Sequence, residues 1–361
     1  MSIPAGLGPS PEKRGRVWRW TRNILLVAVS LVVLVAIVGA CYEALGSRAD
    51  ARRFPEEGKL VDVGGYRLNL NCTGSGNPTV ILEDGLGVHS VGWKLVQPEI
   101  AKFTRVCSYD RAGYGWSDAG PMPRTSAQIV KELHALLQNA GEKPPYVLVG
   151  HSFGGFNVRV YNGQFPDEVG GLVLVDASHE EQNELMPQAI KDWSAKQMKQ
   201  AKTQQALAPI LLRLGFLRFL GRKQTPPPGV PKDLFEEHSY LSRQVKYLEA
   251  TSAEITSFDE SAKEVRAAGT LGDKPLIVLT AGKKLDEKEL PPGLPAKDFE
   301  DFHKVWVDDL QMREAHLSTQ GRRVLVPDSG HMIPFERPGT IVTAVREVCS
   351  ALNAASALTA H

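Results

Sequence analysis

Cysteine is scarce: the 361 residues hold four (Cys41, Cys72, Cys107 and Cys349), with no C-x-x-C pair and no Cys/His spacing suited to zinc or an iron–sulfur cluster. Cysteine-held metal and a disulfide-dense mini-domain are thereby excluded, and nothing else in the chain asks for a metal or a cofactor. Net charge is nearly absent as well, with 42 Lys and Arg against 41 Asp and Glu, which argues against a nucleic-acid partner. No internal repeat is evident. What is present, 42% hydrophobic and 23% charged residues, is the composition of a globular protein able to bury a sizeable core.

The balanced charge conceals a local excess. Lys13, Arg14, Arg16, Arg19 and Arg22 stand against Glu12 alone in residues 1–22, so the remainder carries 37 basic and 40 acidic side chains. The run Ile24–Ala40 follows at once, seventeen residues interrupted only by Ser30 and Gly39, with Trp18, Trp20 and Tyr42 at its borders. That length and the flanking aromatics read as a membrane span, and the preceding positive charges keep the N-terminus cytoplasmic. The expected order is a basic cytoplasmic segment (1–22), a transmembrane signal anchor (23–42), a linker (43–57) and a single-pass protein whose catalytic domain is extracytoplasmic. The rival is a cleaved signal: Val38-Gly39-Ala40 before Cys41 has the small residues a peptidase prefers, leaving a secreted or Cys41-lipidated protein.

From Lys59 onward strand-like and helix-like segments alternate. Lys59–Val63 and Tyr66–Thr73 flank Gly64-Gly65 as an antiparallel hairpin. Continuous apolar runs follow at 79–83, 105–109, 146–150, 172–175, 275–280 and 323–326, the pattern of parallel strands buried on both faces. Helical periodicity lies between them, as in Ser126–Ala140, which puts Ile129, Leu133, Leu136 and Leu137 on one face behind a Ser cap. The sum is a doubly wound α/β sheet (58–177 and 273–356) with an inserted helical lid (178–272). Within the lid, Leu207–Leu220 is strongly apolar and reads as a helix over a pocket, the alternative being a helix whose apolar face dips into a bilayer.

Gly150-His151-Ser152-Phe153-Gly154 is G-x-S-x-G directly between a buried strand and a helix. Such a turn lifts Ser152 above the sheet edge and aims the N–H of Phe153 at a developing oxyanion. A serine hydroxyl needs a base, and of nine histidines His331 stands between the last strand and the last helix, where a loop can hang an imidazole over the elbow. His89, His134, His238, His303, His316 and His361 read as solvated, His151 as pointing away, and His179 as a pocket-lining residue at the start of the lid. Two carboxylates compete to orient His331. Asp176 emerges from the strand Leu172–Val175, and Asp286 follows the strand at 275–280 within a charged run.

These motifs identify the chain as similar to the α/β-hydrolase superfamily from Lys59 to Leu352. The resemblance extends to Asp110-Arg111-Ala112-Gly113-Tyr114-Gly115-Trp116-Ser117, which resembles the D-R-x-G-x-G-x-S segment of proline iminopeptidases, esterases and C–C bond hydrolases, and to Ser329-Gly330-His331. It implies a mostly parallel eight-stranded sheet with the lid between the sixth and seventh strands. It implies a second oxyanion donor at the N–H of Leu86, where Asp84-Gly85 replaces the common His-Gly. Asp110 is expected to organise its loop, and Cys72 and Cys107, near the ends of adjacent strands, either bond in an oxidising compartment or remain two buried free thiols. Serine at the nucleophile position disfavours dehalogenase and epoxide-hydrolase chemistry, which uses aspartate there. The expectation is a serine hydrolase of carboxylic esters or related small-molecule acyl substrates. The alternatives are a proline iminopeptidase-like aminopeptidase, needing a free carboxylate among Glu180, Glu181, Glu184, Glu236 and Glu237, a C–C bond hydrolase, or a non-catalytic binding module.

Overall fold

The short apolar runs become eight strands of one sheet: β1 (Lys59–Asp62), β2 (Arg67–Thr73), β3 (Thr79–Glu83), β4 (Val106–Tyr109), β5 (Tyr146–His151), β6 (Val169–Val175), β7 (Leu276–Ala281) and β8 (Gly321–Val326). The computed structural model describes residues 11–221, 224–227, 229–284 and 290–359. Strand order is β1-β2-β4-β3-β5-β6-β7-β8, with β2 antiparallel to both β1 and β4 and all other pairs parallel. Every residue of β3, β4, β5 and β7 is buried, because helices cover both faces. Alternation then divides the side chains between two cores. Leu148, Leu172 and Leu174 pack on one face with Leu133 and Phe156, whereas Val147, Val149 and Val173 pack on the other with Trp93 and Val345. Each such side chain contributes about 1.5–3 kcal/mol on burial.

The helices are α1 (Pro11–Arg53), α2 (Gln97–Ile100), α3 (Ser126–Ala140), α4 (Gly154–Gln164), α5 (Gln182–Leu185), α6 (Gln188–Arg213), α7 (Phe216–Gly221), α8 (Lys232–Ser242), α9 (Val245–Thr256), α10 (Phe258–Ala267), α11 (Ala296–Val305), α12 (Gln311–Ala315), α13 (Ile333–Glu336) and α14 (Pro338–Thr359). A π-helical turn, Trp306–Leu310, joins α11 to α12. For α3 the cap is Thr125 rather than Ser126: its side chain accepts from the Gln128 N–H, and Gly141, at φ 78°, closes the other end. Helices α5 to α9 form the lid. The last helix of the inserted interval, α10, belongs to the core instead, since its Ala262 and Val265 join the cluster built on α3 and α4.

One further difference concerns the N-terminal half. Residues 43–53, read from their polarity as linker, continue α1 without a break. The helix is held there by the lid, where Arg218 pairs with Glu43 and Asp50, and Arg243 with Asp50. Its segment Trp18–Arg53 is, by length and composition, the one helix among the described residues suited to cross a membrane. Cys72 and Cys107, directly opposed in β2 and β4, form a disulfide, closing a 35-residue separation worth about 3–4 kcal/mol in lost unfolded-chain entropy.

Candidate active site

The turn from β5 into α4 holds Ser152 at φ 53°, a left-handed conformation that a serine adopts only when its surroundings impose it. Glycine on either side makes the turn possible. A Cβ on Gly150 would lie 2.6 Å from the Gly154 carbonyl oxygen, and one on Gly154 would lie 2.4 Å from that of Glu83. The Ser152 N–H donates to the Val175 carbonyl, tying the elbow to the end of β6.

Asp176 follows at that strand end, also at a positive φ (41°), with its N–H donated to Leu279 of β7. Its Oδ2 accepts from His331 Nδ1 at 2.7 Å, and its Oδ1 accepts from the Ala281 N–H and from Trp306 Nε1–H, each at 3.0 Å. Burial opposes the carboxylate, but these donors and the imidazole outweigh it and lower its pKa. Burial likewise opposes the His331 cation, and the bond and charge of Asp176 overcome that to raise its pKa. The ring leaves 48% of its surface open. Because Nδ1 is engaged, Nε2 is the nitrogen left to act as a base. Among the described residues no hydrogen bond joins it to Ser152 Oγ, a contact that in ligand-free enzymes often tightens only with substrate.

His151 does not point away, as its place in the strand suggested. It is buried and neutral, its pKa lowered to about 3 by desolvation and by His331, and its Nε2–H donates to the His331 carbonyl at 2.9 Å. The two rings lie 4.8 Å apart, so the residue before the serine supports the loop that carries His331. Asp286 lies outside the described residues.

Two backbone donors belong to segments that meet at the elbow. The Phe153 N–H, at the start of α4, and the Leu86 N–H have no acceptor among the described residues. Gly85 brings the Leu86 loop against the elbow: a Cβ there would sit 3.1 Å from both Ser152 Cβ and His151 Nδ1. Sequence reasoning did not find what holds this loop. Arg111, 3% exposed, donates to the carbonyls of Asp84 and Gly85 and pairs with Glu83 of β3 and Glu254 of lid helix α9. The Gly87 N–H donates to Tyr114 Oη, whose hydroxyl donates to Glu254, and Tyr247 Oη–H donates to the Gly87 carbonyl. The signal for Arg111 and Tyr114 was the D-R-x-G-x-G-x-S segment, whereas nothing local pointed to Tyr247, Glu254 or Trp306. Asp110 organises its loop, accepting from the N–H groups of Ser90 and Trp116 and from Asn69 Nδ2.

Asp84 follows β3, directly before Gly85. Its carboxyl is buried, neither oxygen has a partner among the described residues, and desolvation pushes its pKa well above the usual carboxylate range. His89 and His238 are not solvated either. Their Nδ1 atoms lie 3.1 Å apart across the boundary between core and lid, and burial lowers the pKa of both, His238 to about 4. His179 is buried, with Nδ1 accepting from the Glu181 N–H.

The family described as "alpha/beta hydrolase fold" matches residues 78–213. An "AB hydrolase superfamily protein" of Gibberella zeae is 26% identical over 306 residues, covering 75% of this chain and 86% of its own. Cfl2 from Burkholderia cenocepacia superposes with a TM-score of 0.62 at 20% identity, over 81% of this chain and 95% of its own. A thermophilic esterase from Thermogutta terrifontis does so with a TM-score of 0.53 at 20% identity, over 81% and 98%.

Proposed function

We propose that this chain, which belongs to the α/β-hydrolase superfamily, is a membrane-anchored serine hydrolase cleaving carboxylic esters through Ser152, His331 and Asp176. The observation that carries the reading is the Asp176–His331 bond at 2.7 Å, beside a serine held at φ 53°. In this mechanism His331 Nε2 takes the Ser152 proton, Oγ attacks the carbonyl carbon, and the N–H groups of Phe153 and Leu86 receive the oxyanion. The alkoxide leaves with the proton held by His331. Water then attacks the acyl-enzyme with His331 again as base, and Ser152 is regenerated.

The aminopeptidase alternative loses support from the lid. Each carboxylate that would bind a free amine is already paired: Glu180 with Arg159, Glu181 with Arg313, Glu184 with Arg266, Glu236 with Arg53 and Glu237 with Lys94. Two features support an N-in anchor with the catalytic body outside the cytoplasm, namely the basic residues that precede the span and the Cys72–Cys107 disulfide.

Labelling of the full chain with a fluorophosphonate, mapped by mass spectrometry, tests the chemistry without choosing a substrate. The expected result is an adduct on Ser152 that disappears in His331→Ala. A folded protein that takes no adduct overturns the reading in favour of a binding module.

A further inference from the structure

The lid carries an apolar face that the catalytic machinery does not use. Leu207, Ile210, Phe216 and Leu220 are 44–66% exposed, on α6 and α7. This face is continuous with α1: Phe216 and Leu214 line one wall of an open groove of about 620 Å³, and Leu34, Val35 and Val38 line the other.

The two elements meet backbone to backbone. A Cβ on Gly39 would lie 2.3 Å from the Leu214 carbonyl oxygen, and Gly215, at φ 70°, passes 2.8 Å from that of Gly39 by the same measure. Directly beyond this contact the chemistry turns polar. The Arg218 guanidinium, 10% exposed, bonds Glu43 at 3.0 Å, Asp50 at 2.6 Å and Ser47 at 3.0 Å. The lid therefore has a defined height along the anchor. Leu34 lies six residues before Ala40, the end of the apolar run, and so about 9 Å along the helix from it. Phe216 faces that stretch.

We infer that the apolar tip of the lid lies in the outer leaflet beside the anchor, and that the site draws its substrate, a long-chain ester, sideways from the lipid. This rests on the membrane-anchored hydrolase reading above. Lipid is the occupant because the face continues a helix whose large aliphatic side chains between Ile24 and Val38 are themselves exposed, and because it stops where the ion-paired network begins.

The full chain in phosphatidylcholine vesicles, with Cys41→Ser removing the exposed thiol, tests this by single cysteines carrying the fluorophore NBD. Val33→Cys reports insertion of the span, Leu220→Cys the lid tip, and Lys232→Cys, 81% exposed on α8, the water side. Quenching at 220 by doxyl-labelled lipid with protection from iodide, as at 33 and opposite to 232, is the expected result. Iodide quenching at 220 equal to that at 232, with 33 still in lipid, overturns the inference and leaves the anchor standing.

The paired Phe216→Ser and Leu220→Ser variant should lose about tenfold in hydrolysis of nitrophenyl palmitate in the vesicles while keeping its rate on soluble nitrophenyl acetate. Equal loss on both esters overturns the inference. Should the unsubstituted protein hydrolyse neither ester, the hydrolase reading falls and the quenching alone decides the position of the lid.

Discussion

Two carboxylates, Asp176 at the end of β6 and Asp84 at the end of β3, flank the elbow at equal depth, each 3% exposed. Their surroundings differ chiefly in the donors that reach them, and like charge from Glu83 and Asp110 adds to the difference at Asp84. Three donors converge on Asp176, whereas neither oxygen of Asp84 has a partner among the described residues. The first is consequently held below the usual carboxylate range and the second driven well above it. Depth in a low-dielectric interior is thus not what decides the charge of a buried acid; the number of N–H groups aimed at it is.

The largest test of this contrast is Asp176→Asn. It should lower kcat on a nitrophenyl ester by about 10³–10⁴-fold, because the amide no longer holds His331 in the tautomer that leaves Nε2 free. The pH profile checks the cause. His331 must be neutral to accept a proton, so activity falls as pH drops through its raised pKa, and in the Asn variant that acid limb should move to lower pH. An unmoved limb would remove Asp176 from the role.

Next in size is Arg111→Met, which leaves Glu83 and Glu254 buried without their cation. Urea denaturation should show a loss of about 3–5 kcal/mol. Trp306→Phe removes one donor from Asp176 and keeps the Ala281 N–H; kcat should fall about five- to tenfold, with the acid limb moved slightly to higher pH, opposite to Asp176→Asn, because a carboxylate with one donor fewer attracts the imidazolium more strongly.

The smallest effect is expected at Asp84→Asn. The folded chain keeps this proton while the unfolded chain releases it near the ordinary value, so the contribution of Asp84 to stability is complete at low pH and is lost as pH rises. The variant should match the parent near pH 4 and exceed it by about 1 kcal/mol, roughly 2–4 °C in Tm, at pH 8. A gain that does not grow with pH would mean that Asp84 is charged when folded.

How much of this was legible depended on how local each signal was. Ser152 and His331 lie in short strand–turn–helix and strand–loop–helix patterns that a single window contains. The carboxylate that bonds His331 was legible only as a choice, since carboxylates after apolar strands are common and Asp176 resembles Asp84 and Asp110 in that respect. Trp306 bonds Asp176 across 130 residues of chain, and nothing in its own helical stretch announces the contact. His89 and His238 looked solvated because their neighbours in sequence are polar, yet they face each other across 149 residues. Residues 43–53 looked like linker by polarity, although their Ala, Leu, Glu and Arg are strong helix formers and the lid supplies their partners.

That unbroken continuation of α1 has a kinetic consequence. Under the anchored reading, a body joined to its span by a clamped helix cannot swing freely on a tether, so its catalytic cleft travels with the plane of the membrane. Encounter with a lipid substrate then becomes a two-dimensional search. Its rate would follow the mole fraction of that lipid in the surrounding leaflet and the speed of lateral diffusion, and would be indifferent to how much bulk water the vesicles are diluted into.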